Sequence, residues 1–167
     1  MNDSLNGMIE MDSSREDTKL QNILENQREH WANVVTELMD GQKITDWSCF
    51  FLPNIPGLGQ SEQSQYYAVT LEELSRYMRN NEYRGNICTV IYLIDRAYRE
   101  SNTMDLAKIL GEVDALKFRS CITLLWYYYL HTDYVDDLSY KFIRIIKYSL
   151  EVYGHCEYTV EQCRGNK

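Results

Sequence analysis

Lys43, Asp46 and Trp47 stand close together in the chain, and Gly57, Gly59, Ser61 and Ser64 follow them. An indole can stack on a base or sugar face, and an ammonium can meet a charged group. Glycines and hydroxyls ahead of a helix can turn backbone N–H groups toward an anion, which suits a phosphate or carboxylate. The same residues have a plainer reading. Gly57-Leu58-Gly59 can be a tight turn with Ser61 or Ser64 as the helix N-cap. Trp47 can fill the core with Phe50 and Phe51 while Lys43 and Asp46 stay solvated. The run is neither a G-x-x-x-x-G-K-[ST] loop nor a G-x-G-x-x-G fingerprint. A second group, Asp114, Lys117 and Ser120, falls at i, i+3 and i+6 along one side of a helix start. Asp114 reads most simply as a cap, and Lys117 pairs with it or reaches a ligand anion.

Other chemistry is sparse. No Ser-His-Asp or Cys-His arrangement has a supporting context, so no residue is assigned a catalytic role. Cys49, Cys88, Cys121, Cys156 and Cys163 are odd in number and form no C-x-x-C pair. Reduced thiols in a cytoplasmic protein are expected, not a disulfide framework. His30, His131 and His155 show no ligand spacing against the cysteines, so neither a metal site nor a cofactor is expected.

The elements that must position these residues are helices. The chain has 167 residues, 44% hydrophobic and 25% charged, with a formal net charge of −8. That length supports one domain burying roughly 70% of the unfolded surface. Asp3, Glu10, Asp12, Glu16 and Asp17 against Arg15 put a net −4 on the first seventeen residues. Residues 1–16 are therefore expected to be a disordered acidic tail, 17–163 a single helical domain and 164–167 a flexible end. Phosphate contacts need clustered Lys and Arg, so no nucleic-acid partner is expected. No apolar run approaches the roughly 18–20 residues of a membrane helix, and no secretory pattern opens the chain.

Apolar spacing predicts a first helix from about Asp17 to Asp40, with Leu20, Ile23, Leu24, Trp31, Val34, Val35, Leu38 and Met39 on one face. Gly41 follows at C′. Gln42 to Gln60 is different: it is apolar but broken by Pro53, Pro56, Gly57 and Gly59, so it reads as a buried irregular connection. Its backbone polar groups all need partners, which makes it the segment where a site is most plausible. Helices are then expected at Ser61–Tyr67, at Thr70–Arg79 behind a capping box, and at Glu82–Glu100. A short helix capped by Thr103 should end at Gly111, and a long central one should run from Asp114 to about Leu130. Leu116, Ser120, Thr123, Leu124, Tyr127 and Leu130 form the stripe of that central helix. Asp136–Tyr153 and a C-terminal helix opened by Thr159 complete an all-α fold of about six to eight helices.

Three runs carry a family resemblance. Gly41-x-Lys43-x-x-Asp46-Trp47-Ser48-Cys49-Phe50-Phe51-Leu52-Pro53-Asn54, continuing to Gly57-Leu58-Gly59-x-Ser61-x-x-Ser64-x-x-Tyr67-Ala68, is the first. Leu71-x-Glu73-Leu74-x-x-Tyr77-Met78 is the second. Ile109-x-Gly111-x-x-Asp114-x-x-Lys117-x-x-Ser120-x-Ile122-Thr123-Leu124 is the third. From Lys19 to about Gln162 the chain resembles the domain of unknown function 1810 family, which implies a small all-helical fold. Asp46 stands where the family pattern has histidine, Ser48 where it has methionine, Cys49 where it has tryptophan, and Asn54 where it has glutamine.

Two functions compete. The first is a small-ligand protein or enzyme binding a nucleotide-like or ADP-ribose-like anion through Lys43, Asp46, Trp47, Gly57, Gly59, Ser61, Ser64, Asp114 and Lys117. It requires the irregular segment and the start of the Asp114 helix to line one pocket. The second is a non-enzymatic interaction module, regulatory or defence-related, that uses a Tyr-rich surface at Tyr127, Tyr128 and Tyr129 or near Tyr148–Tyr158.

Overall fold

A computed structural model describes the backbone over residues 2–165 and the side chains over 18–165. The expected acidic tail at 1–16 lies outside the described side chains, and residues 166–167 of the expected flexible end lie outside the described residues. Among the described residues there are nine helices and no strand.

The nine exceed the expected six to eight because the segment read as wholly irregular contains a single helical turn. This is α2 (Ser48–Phe51), entered after α1 (Asn2–Met39). The turn is closed by the Leu52 N–H donating to the Ser48 carbonyl at 2.8 Å, which satisfies backbone that burial would otherwise orphan. α1 buries Ile23, Leu24, Val34 and Leu38 as its period requires, but Met39 is half exposed. Gly41, at φ +90°, ends it in the left-handed conformation that an L side chain resists.

α3 (Glu62–Tyr67) is capped by Ser61, and α4 (Leu71–Tyr77) by the reciprocal Thr70–Glu73 box. α5 (Asn81–Glu100) is capped by Asn80. α6 (Leu106–Leu110) is capped by Asp105, not Thr103: the Asp105 carboxylate accepts the Ala107 N–H at 3.0 Å. α7 (Glu112–His131) begins two residues before Asp114, so Asp114 lies inside its first turn and does not cap it. Its N-cap is Gly111, at φ +86°, with no side-chain cap. α8 (Asp137–Tyr153) is capped by Asp136. α9 (Glu157–Gly165) begins before Thr159, whose hydroxyl is instead buried 2.7 Å from that of Ser120.

α7 is central, as its near-uniform apolarity implies, and packs against α4, α6, α8 and α9. It buries Ala115, Phe118, Cys121, Ile122, Leu125 and Tyr128 together with Ser120, Thr123 and Leu124 of the expected stripe, whereas Leu116 and Leu130 of that stripe are exposed. The tyrosine run offers less surface than expected, with Tyr127 and Tyr129 half-buried. Tyr128 is buried, and Tyr129 packs edge-on against Phe142 at 5.7 Å, with its hydroxyl pushed above the ordinary range by burial. All five cysteines are free. Among the described residues no helix is long and apolar enough to cross a membrane.

Candidate functional site

The 42–60 segment is held at its entrance by Glu37. This carboxylate lies on the apolar face of α1 and is 6% exposed. It accepts the Ile44 N–H, the Thr45 N–H at 2.7 Å, the Thr45 hydroxyl at 2.6 Å and the Trp47 indole N–H at 3.2 Å. Burial alone would push the Glu37 carboxyl up, but these donors outweigh it and hold the carboxyl below its ordinary range. Glu37 was not singled out from the sequence. The available signal was an acid between Val34 and Leu38, inside an apolar stripe.

Trp47 is fully buried and meets Phe51 edge-on at 5.9 Å. Its face is part of the core and offers no stacking platform to a ligand. Lys43 is not solvated either. Its side chain is 6% exposed, its ammonium lies 2.8 Å from Asp114 Oδ2 and 2.7 Å from the Thr45 carbonyl, and it sits 5.2 Å over the Trp47 ring. The Ser48 hydroxyl donates to Asp114 Oδ1 at 3.0 Å. Asp114 thus ties the segment to the first turn of α7, where a carboxylate also meets the positive end of the helix.

That tie leaves a cleft of about 470 Å³ between the segment and α7. Asp46, Ser61, Ser64, Gly111, Asp114 and Lys117 are among its lining residues. The Lys117 ammonium, on the next turn of α7, donates to Ser64 Oγ at 2.9 Å and is 3.9 Å from Asp114 Oδ1. Ser61 and Ser64 are linked at 2.8 Å, and Ser61 also caps α3. Beside them a small cavity of about 10 Å³ touches Asn54, Gly59 and Lys117. Asn54 Oδ1 is buried there without a hydrogen-bond partner among the described residues. Cys49 borders both spaces, but its thiol is pushed to about 11 by burial, against the pull of Lys117. It is protonated at neutral pH and is a poor nucleophile.

Gly57 and Gly59 shape the wall without lining the larger cleft. A Cβ at Gly59 would stand 2.4 Å from Ser64 Cβ, so glycine allows the close approach that seats Ser64. Gly57 has φ +95°, and a Cβ there would stand 2.1 Å from the Tyr158 hydroxyl, which donates to the Pro56 carbonyl at 3.0 Å. Gly57→Ala is expected to destabilise the protein by about 2 kcal/mol, combining left-handed strain with the lost Tyr158 bond. Adding Tyr158→Phe should recover part of the loss in urea melts, because the nearest clashing atom is gone. A double variant no better than the single would place the cost in the backbone strain and the lost hydrogen bond rather than in the clash.

Of the nine residues read from the sequence, the structure brings Asp46, Ser61, Ser64, Asp114 and Lys117 to one cleft. Lys43 supports it from behind, Gly59 touches the adjoining cavity, and Gly57 and Trp47 lie apart. Among the described residues no group of three metal-ligating side chains comes together.

The conserved hypothetical protein Rv1873 from Mycobacterium tuberculosis has a similar crystal structure. It matches with a TM-score of 0.68 at 24% identity, over 85% of this chain and 94% of that one. The likeness is one of fold. No curated protein matches the chain. Residues 17–143 match the family described as protein of unknown function (DUF1810), and the chain belongs to that family.

Proposed function

We propose that the cleft between the 42–60 segment and α7 binds a small anionic ligand of nucleotide-like or ADP-ribose-like kind. The observation that carries this is the position of Lys117. Its ammonium stands at a wall of hydroxyls, beside a helix start that no side chain caps. Free N–H groups at a long helix start favour an anion, and the ammonium adds to that. The cleft is not basic overall, since Asp46, Glu112 and Asp114 line it alongside Lys117. A bare phosphate would be repelled by them, whereas a ligand carrying hydroxyls could donate to those carboxylates. Mixed donors and acceptors of that kind suit a sugar phosphate or nucleotide.

The reading is one of binding, because the thiol that borders the cleft is held protonated by burial. A thermal-shift series with nucleotides, ADP-ribose and sugar phosphates tests it. A ligand present at 100 times its Kd should stabilise the protein by about 2.7 kcal/mol and raise Tm accordingly. Lys117→Gln should weaken that ligand about tenfold or more, with the unliganded Tm nearly unchanged. Absence of any shift across the series would refute the proposal.

A further inference from the structure

A second depression, of about 440 Å³, lies between α5 and α8 and shares no residue with the cleft at α7. Tyr92, Asp95 and Arg99 line it from α5, and Lys141, Arg144 and Tyr148 from α8. Each set recurs at i, i+3 and i+7, so each occupies one helical face.

The charges are unevenly satisfied. Asp95 is buried, and its two oxygens are taken by the Tyr153 hydroxyl at 2.9 Å and by Arg99 Nε at 2.9 Å. The Arg99 guanidinium also stacks 4.6 Å from the Tyr148 ring centre, which fixes its plane. Lys141 and Arg144 are exposed and have no carboxylate partner among the described residues. In a chain of net charge −8, three cations around one saturated carboxylate form a local basic groove.

We infer that this groove docks an acidic segment of a partner protein. Two guanidiniums, one of them pre-oriented, match carboxylates in a fork geometry, and an ammonium adds a third positive point. Tyr92 and Tyr148 supply amphipathic area at low entropic cost. The walls are open, with Arg99 56% and Tyr92 54% exposed. A small molecule there would stay largely wet, whereas an extended chain gathers several contacts. Positions 141 to 148 of α8 span about 10 Å, which seats three or four extended residues. Nucleic acid fits less well, because three cations on an acidic protein give little of the counterion release that drives such binding.

The test is fluorescence anisotropy of the full chain with a labelled peptide of about eight alternating Glu and Tyr residues, at ~50 mM salt. Saturable binding is expected, weakened about tenfold or more by Lys141→Glu with Arg144→Glu, and weakened again at ~200 mM salt. Both residues are exposed, so the double variant should keep its circular dichroism melt. Lys117→Gln should leave peptide binding unchanged, which separates this groove from the cleft at α7. The inference is overturned by absence of saturable binding up to ~1 mM peptide, where ordinary peptide docking would register. It is equally overturned if the charge reversals have no effect, or if a single-stranded oligonucleotide of equal charge binds as tightly.

Discussion

Glu37→Ala is expected to destabilise the protein by about 3 kcal/mol in urea unfolding at neutral pH. Four donors converge on this one carboxylate, and each buried donor left without an acceptor costs about 1–3 kcal/mol. The full sum is not expected, because Ile44 and Thr45 are exposed and their N–H groups can recover water. The Trp47 indole cannot, since the ring is fully buried. Glu37→Gln should fall short of rescue: the amide retains one carbonyl acceptor but turns an NH2 toward donors. A loss below about 1 kcal/mol would mean that the segment enters the core without Glu37.

The same carboxylate carries a pH prediction. Its folded value lies below the unfolded one, as do those of Glu73, held by Lys19 and Thr70 against burial, and Asp136, bonded by Ser139. For a depressed carboxyl the stabilisation is complete above the unfolded value and is lost as pH falls through the folded one. The gap between wild type and Glu37→Ala should therefore narrow once pH drops below about 4. Urea melts at neutral and acidic pH measure that gap. A gap constant with pH would show that packing, not the charge, sets the cost.

The fold was legible wherever a local signal decides the structure. Gly41 ends α1, Thr70 and Glu73 form their box, and the apolar bulk of α7 places it centrally. Signals misled where two local chemistries compete. Thr103 and Asp105 both suit a cap, and the aspartate took it; Thr159 looked like a cap and became a core hydroxyl. The site was half legible for a different reason. Ser61, Ser64 and Lys117 announce themselves by type, but their meeting depends on contacts across more than fifty residues. The true role of Asp114 was hidden because its partners, Lys43 and Ser48, belong to a distant segment. Glu37 was hidden because a buried acid and a solvated one share a letter.

Asp114→Ala is the second substitution with a large expected effect, a loss of about 3 kcal/mol. Removing one partner of a buried ion pair leaves the other charge without compensation, which costs about 3–5 kcal/mol in dry sites. Asp114 is 15% exposed, so the lower end applies, and Lys43 keeps the Thr45 carbonyl. Lys43→Met should cost less, because Asp114 retains Ser48 and the helix start. The double variant should lose less than the sum of the singles, with a coupling of about 2 kcal/mol. Strict additivity would instead describe two independently solvated charges. The pair also fixes how far the 42–60 segment stands from α7, and hence the width of the cleft that Lys117 enters. Asp114→Ala should accordingly weaken a ligand of that cleft by displacing the wall that carries Asp46 and Ser48 and by removing the carboxylate 3.9 Å from the Lys117 ammonium. Lys117→Gln should weaken the same ligand with little change in Tm. If Asp114→Ala lowered stability while leaving ligand affinity intact, the ion pair would hold the fold without setting the shape of the site.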